Sequence, residues 1–549
     1  MRLRFLLLGL VGLLAVLGMV GGSSAATPVA AGWGDAIQVP ATTVLNHGDA
    51  QTSSISCSAA GSCSAGGSYR DASGHYQAFV MRETQGVWRN ALEVPGTAAL
   101  NNGGDADVNS VSCHRPNECA AGGSYYDGAG FYQVFVVSQK NGNWGKAIEV
   151  PGTATLNTGE ADVNSVSCGA AGSCTAAGYY RDGFGNFQAF VVNEKHGVWR
   201  TAREVPGTEN LNKRGDAAVT SVSCGAPGVC AAGGYYLDGF GNYQAFVVDE
   251  TAGAWGQAVK VPRTSTLNKG GDAEVNSVSC GAAGECAAGG SYLDGSGHSQ
   301  AFVVSETDSV WGQAVEVPGT STLNKGGDAA AKSVSCNAAG DCAAGGFYRN
   351  RSGHHEAFVV RGTNGSWGKA LEVPGSGALN KGGDAKVGSV RCGRDGNCQA
   401  GGSYRDGSGH YQAFVVSETG DLWLKAHEVP GTATLNKGGH AAVNSISCGA
   451  AGDCAAGGFY TNGGRQAFVV SSAPVAPPAP CVVPRVVGKT LGAAKKALAA
   501  ANCGVGRVKK VYAKAKIGRV VKQSPKSGTQ LNHGDKVALT LSKGKRKKK

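Results

Sequence analysis

Over most of the chain, apolar residues alternate singly with polar ones, in runs of four to eight separated by Gly, Asn and Asp. Residues 255–304 show one full cycle. "WGQAVKVP" and "VNSVSC" alternate, "CAAGGSY" is a small-residue run ending in an aromatic, and "QAFVV" is a short continuous apolar run. "NKGGD", "GAAGE" and "DGSG" between them are turn formers. Period-2 alternation with turn punctuation predicts four short β-strands per cycle, and no stretch of the cycle carries helical spacing.

The cycle recurs eight times. Sixteen of the 18 cysteines form C-x5-C pairs: Cys57/Cys63, Cys113/Cys119, Cys168/Cys174, Cys224/Cys230, Cys280/Cys286, Cys336/Cys342, Cys392/Cys398 and Cys448/Cys454. Consecutive pairs lie 55 or 56 residues apart, and each of the eight tryptophans precedes a first cysteine by 24 or 25 residues. Repeated four-stranded units of this length resemble β-propeller blades. We assign "NSVSC" as innermost strand A, "CAAGGSY" as B, "QAFVV" as C and the Trp strand as outer D. The repeats then begin with a D strand, Trp33–Val39, and end with a C strand, Gln466–Val470. That offset closes a ring of eight blades, whereas a linear solenoid needs polar caps at its ends. The small residues of A and B leave room for Trp, Tyr and Phe of neighbouring blades, which makes packing between blades the reading of the tryptophans.

Composition and charge divide the chain further. Arg2 and Arg4, an apolar run from Phe5 to Val20 and small residues through Ala26 read as a secretory signal peptide, residues 1–26. No later stretch is apolar enough to span a bilayer, so a secreted, extracellular or cell-wall-associated protein without a transmembrane segment is expected. From Cys481 onward there are 19 lysines and arginines against one acid, Asp535, which leaves 31 basic and 38 acidic residues before it. Such asymmetry indicates two units with different partners. The expected organisation is a propeller over 32–472, a Pro/Ala linker over 473–480 ("APVAPPAP"), a second domain over 481–543 and a basic tail over 544–549.

In the second domain, "KTLGAAKKALAAANC" puts Leu491, Ala494, Ala497, Leu498 and Ala501 on one helical face behind an N-cap at Thr490. Strands are expected at Gly506–Tyr512, Gly518–Gln523 and Lys536–Leu541. "VPRVVGKTLGAAKKAL" followed by "GRVVKQSPKSGTQLNHGDKVALTLSKG" resembles the PASTA domain. The resemblance implies a helix on a three-stranded sheet and binding of uncrosslinked peptidoglycan or β-lactams, with no ligand residue assignable from the motif. Cys481 and Cys503 would flank the first strand and the helix, and a ninth disulfide is expected there. The whole is thus expected to be mainly β: an eight-bladed β-propeller followed by a small α+β PASTA-like domain.

Candidate chemistry is sparse. Export makes oxidation the default state of the C-x5-C pairs, and a hairpin brings its ends to disulfide distance. Zinc needs four ligands, and each unit offers two cysteines with no histidine at a fixed place. The D–A loops supply Asp49, Asp105, Glu160, Asp216, Asp272, Asp328 and Asp384, with His440 in the eighth. The B–C loops, at the same end of each blade, supply Asp71, Asp127, Asp182, Asp238, Asp294 and Asp406, with Asn350 at one position. This acid-rich end reads either as turn chemistry or as a cation site, calcium being the cofactor such a ring would take. Lys213, Lys269, Lys325, Lys381 and Lys437, three residues before the loop position, would neutralise part of it. Departures from the repeat (His114, Arg115, His354, His355, Glu356, Arg391, Arg394) do not assemble into a catalytic group on sequence grounds, and no HExxH, GxSxG or P-loop motif occurs. The expected function is a monomeric, non-catalytic envelope protein that binds peptidoglycan or anionic wall polymers and no nucleic acid. A secreted polysaccharide hydrolase or lyase with a PASTA anchor is the alternative.

Overall fold

The computed structural model describes residues 32–472, except 339, 394–395 and 451–452, and residues 481–545, except 532–535. The expected signal peptide, linker and most of the basic tail lie outside the described residues. Residues 32–472 form eight antiparallel sheets arranged as a ring of blades. In blade 1, strand A is Ala50–Ala59, B is Ser62–Arg70 and C is Tyr76–Thr84. The outer strand D is split into Val87–Trp88 and Leu92–Glu93, both paired to C. Blades 2 to 7 repeat this order. Blade 8 has strands A, B and C at Ala442–Ala450, Asp453–Thr461 and Arg465–Ser471. Its D strand comes from the other end of the repeats: Ile37 pairs with Val469, Gln38 with Phe468, and Trp33 bridges Ser472. The ring closes as the one-strand offset requires.

The D–A connection carries a feature that alternation does not reveal. Each contains a one-turn helix, such as Thr42–Leu45 in the first, entered through a left-handed residue that is glycine in six of the eight. Four residues are too few to leave a helical period in the sequence.

Small residues in strand B serve two different neighbours. A Cβ on Gly234 would lie 1.9 Å from the Ala218 carbonyl oxygen of strand A, and every blade has glycine at this place. A Cβ on the preceding Gly233 would instead meet the Val275 and Val278 side chains of the next blade. Side chains can shift where backbone cannot, and blade 3 accordingly carries Ala177 there. Each blade interface buries one Phe of strand C completely, Phe79 to Phe468, together with the Tyr of strand B and the valines of strands A and C. Five tryptophans donate their indole N–H to strand C of the preceding blade, as Trp88 does to Ser471 at 3.0 Å. They fasten blade to blade.

The paired cysteines stand directly opposite in the A–B register, and each pair is a disulfide. In blades 1 to 4 these are Cys57–Cys63, Cys113–Cys119, Cys168–Cys174 and Cys224–Cys230. In blades 5 to 8 they are Cys280–Cys286, Cys336–Cys342, Cys392–Cys398 and Cys448–Cys454. The antiparallel register itself brings the Cα atoms of Cys57 and Cys63 to 4.0 Å, so the bond needs no further rearrangement of the hairpin.

In the C-terminal domain Thr490 caps a helix, Leu491–Ala500, through its hydroxyl to the Ala493 amide. The helix packs Ala494 and Leu498 against Val520, Val537, Leu539 and Leu541. The sheet runs Gly504–Val511, Lys536–Ser542, Val520–Ser524 in spatial order, the first pair parallel and the second antiparallel. Cys481 and Cys503 form the ninth disulfide.

Candidate functional site

The A strands surround the central channel, and serines stitch them together. The first serine of each "S-x-S-C" run, and Ser389 of the "S-V-R-C" run in blade 7, accepts the amide of the valine or isoleucine in the next blade, Ser54 from Val111 and so on round to Ser445 from Ile55. A register shift at the fourth A-strand residue breaks the alternation. Positions 1, 3 and 6 of strand A are therefore buried, while positions 2, 4, 5 and 7 turn to the following blade and the lumen.

The cysteines stay out of any chemical site. On strand B, Cys63, Cys119, Cys174, Cys230, Cys286, Cys342, Cys398 and Cys454 are all buried in the packing between blades. No free thiol occurs among the described residues. Sulfurs that are both oxidised and enclosed offer neither a nucleophile nor a metal ligand, so their role is to staple strand A to strand B.

At the end where strand A starts, six of the seven D–A loop acids are engaged one by one. Tyr76, Tyr132, Tyr243 and Tyr411 donate their phenols to Asp49, Asp105, Asp216 and Asp384 at 2.9, 2.6, 2.5 and 2.5 Å. Tyr179 donates to Glu160 at 3.3 Å, and His355 Nε2 lies 2.9 Å from Asp328. Asp272 has Ser299 across from it, and that hydroxyl turns to the Ala329 carbonyl instead. The hydrogen bond to Asp105, and then burial, push the Tyr132 phenol up to about 12. His440, in the eighth loop, stacks on Phe459 with ring centres 5.3 Å apart, beneath the Arg465 guanidinium. The five loop lysines do not neutralise this ring: among the described residues none pairs with an acid, and Lys325 turns back to the Ser321 carbonyl of its own one-turn helix.

The B–C loop acids make turns. Asp71 Oδ1 accepts the amides of Ser73 and His75 while Oδ2 accepts Gln77 Nε2 at 2.9 Å, and the other five repeat this. Burial opposes the charged form of Asp71, but the Gln77 and backbone hydrogen bonds outweigh it and hold the carboxyl low. Asn101 then bridges Gln77 Oε1 to the Asp105 amide. Blade 6 keeps the network with its polarity exchanged: Asn350 Nδ2 donates to Glu356, which also accepts Asn380 Nδ2. One Asp–Gln pair has become Asn–Glu with the charge conserved. Among the described residues, no group of three or more His, Cys, Asp or Glu converges as a metal site.

Sequence reasoning missed the channel itself. Position 2 of strand A holds Gln51, Asp107, Asp162, Ala218, Glu274, Ala330, Lys386 and Ala442 round the ring. Its variation within an otherwise constant repeat was the available signal. Asp107 of blade 2 accepts Ser124 Oγ at 3.4 Å, and Asp162 of blade 3 accepts Asn109 Nδ2 at 2.7 Å. Both are half-buried. Burial pushes Asp107 up to about 6, and burial and then the Asp107 charge push Asp162 up to about 8. Glu274 pairs with Lys332 at 3.9 Å, and Lys386 with Asp384 at 3.7 Å.

A second set of acids lies between blades near the disulfide end. Glu83, Glu194 and Glu250 accept Ser471, Ser138 and Asn193 of the preceding blade. Glu418 accepts Arg361 Nη1 at 2.5 Å. At the blade 4–5 interface the equivalent donor is itself an acid, Asp249, held by Trp311 Nε1 at 3.0 Å to each oxygen. Burial, then the charges of Asp249 and Glu285, push Glu306 up to about 7.

Residues 482–543 match the PASTA domain family model. No curated protein matches the chain. Among solved structures, Hadza microbial sialidase Hz136 is similar at 11% identity and TM-score 0.36, over 72% of this chain and 68% of that one. A protein of unknown function from Dyadobacter fermentans is similar at 12% identity and TM-score 0.33, over 80% and 98%. Trypanosoma rangeli sialidase in complex with sialic acid is similar at 8% identity and TM-score 0.32, over 80% and 57%. Likenesses this distant bring no activity to this chain.

Proposed function

We propose that this is an exported, non-catalytic cell-envelope protein, held to peptidoglycan by its PASTA domain and presenting the propeller as a binding scaffold. The PASTA match over residues 482–543 carries the reading. The nine disulfides fit an oxidising compartment. No helix among the described residues is long and apolar enough to cross a membrane. The free face of the PASTA sheet supports an anionic polymer as the retained species. Lys509 and Lys522 flank Thr540 in register across the three strands, and among the described residues of this domain no ion pair forms. Charges left unpaired on a flat face attract polyanions at long range and lose that attraction in salt.

Co-sedimentation with purified peptidoglycan tests the reading, comparing the whole chain with one ending at Ser472. Retention should fall to background on truncation, and the part due to anionic polymers should fade as salt is raised. A truncated chain that sediments as well as the whole one would place the contact on the propeller and overturn the tether. The Asp107–Asp162 pair favours one second reading, a polysaccharide hydrolase or lyase, because two enclosed carboxyls with raised and separated pKa values suit acid–base chemistry. Release of reducing or unsaturated ends from wall glycans, lost in Asp162→Asn, would replace the non-catalytic reading.

A further inference from the structure

Seven of the eight A strands carry a serine just before the first cysteine. Its hydroxyl accepts the amide of the next blade's first cysteine, at 2.9 to 3.0 Å, seven times round the ring. In blade 7 this residue is Arg391. The exchange removes an acceptor from a hydrogen-bonded ring and puts a guanidinium on the lumen side of strand A, where no hydrogen bond or ion pair with another described residue holds it. Water reaches the side chain, which is exposed, yet protein surrounds it closely enough to lower its pKa by desolvation. Because strand A is the innermost strand of its blade, a side chain on it that is open to water and enclosed by protein lies inside the channel. Among the described residues nothing local compensates the lost serine, and departures of this kind from a repeat concentrate at functional sites.

The opposite wall carries the complementary charge. In a ring of eight, blade 7 faces blade 3, where Asp162 shares the lumen with Asp107 of blade 2. The hydroxyl of Ser124, the amide of Asn109 and nearby backbone N–H groups give this pair neutral donors only. Arg391 stands five residues further along strand A than position 2, which places it roughly 15 Å deeper at the ~3.3 Å rise of a strand. The channel therefore offers an acid pair at the mouth of one wall and, deep on the other, an arginine that pairs with no described residue. A single ion satisfies only one of the two. An extended molecule with opposite charges at its two ends satisfies both; it must cover the offset along the strand and the width of the channel, so about five extended residues, about 17 Å, are the minimum.

We propose that the lumen binds a short extended peptide with free termini, its ammonium against Asp107 and Asp162 and its carboxylate on Arg391. Arg fits a carboxylate bidentately, and low-dielectric channel walls strengthen both contacts. The inference rests on reading the propeller as a ligand-binding scaffold and adds the class of ligand.

Calorimetry on the whole chain with pentaalanine as probe tests it, alongside the N-acetylated and the C-amidated peptides. Free pentaalanine should bind, and blocking either end should weaken it at least tenfold. Arg391→Ser should bind the acid and the amide equally, and the double variant Asp107→Asn/Asp162→Asn should bind the free and the acetylated peptide equally. Arg391→Ser restores the eighth serine, so its melting temperature should be no lower than the parent's, which separates loss of binding from loss of fold. No binding of pentaalanine, or equal binding of the free and blocked peptides, overturns the proposal. Retention on peptidoglycan, measured in the same variants, reports on the wall tether separately and should not change.

Discussion

Glu306→Gln isolates the blade 4–5 interface, which sets the Glu306 carboxyl against that of Asp249. Glu306 is buried, and its carboxyl stands at about 7 against an ordinary 4.5. The folded chain thus holds this proton more tightly than the unfolded chain does. Stability from this site is full below about pH 4.5, falls as pH rises, and is lost above about 7. A shift of this size corresponds to about 3 kcal/mol at 1.36 kcal/mol per unit. Glutamine stays neutral at every pH and can donate to Asp249, and blade 2 already carries Gln139 at this place. The variant should match the parent within about 0.5 kcal/mol at pH 4.5 and exceed it by about 3 kcal/mol at pH 8. For the 32–472 unit, at about 2.1 cal/mol/K per residue, that is a rise of about 3 °C in melting temperature. Asp249→Asn copies the Trp255–Asn193–Glu250 relay of the preceding interface. It should recover only about 1–2 kcal/mol, because burial, the larger cause, remains. Scanning calorimetry at the two pH values, read as variant minus parent, removes the contribution of every other titrating group. A Glu306→Gln chain that gains nothing at pH 8, or gains equally at both pH values, would refute the reasoning.

Other expectations follow from the packing. Gly234→Ala, whose Cβ would meet a backbone oxygen, should cost at least about 3 kcal/mol in urea unfolding, whereas Gly233→Ala should cost about 1 kcal/mol. Asn350→Asp alone places a second carboxylate against Glu356 and should destabilise by about 1–3 kcal/mol, and adding Glu356→Gln should restore the parent, as a double-mutant cycle will show. Reducing the eight hairpin disulfides should lower the unfolding midpoint, each contributing at most about 2–3 kcal/mol because the closed loops are short.

Much of the architecture was legible because it repeats. An apolar–polar period of two gave the strands, the 55–56-residue period of the cysteines gave the blades, and the offset between Trp33–Val39 and Gln466–Val470 gave the closure, now seen in the Ile37–Val469 pair. The one-turn helices left no period to read. The split of strand D was equally hidden, since both halves pair with strand C. The loop acids were located from their turns, and their partners were not: Tyr132 lies 27 residues from Asp105, in another element.

The sequence by itself determined the strands, their number, the ring and the local disulfides, because each follows from alternation, turn residues and neighbours close along the chain. Only the tertiary structure decided which side chains meet across the channel and between blades. The bulge in strand A reverses the alternation midway, so the lumen-facing set could not be counted off by twos. The contacts that distinguish the blades join residues about one repeat apart, Asn109 to Asp162 or Asp249 to Glu306, and Arg391 is set against Asp162 only by the closure of eight blades into a circle.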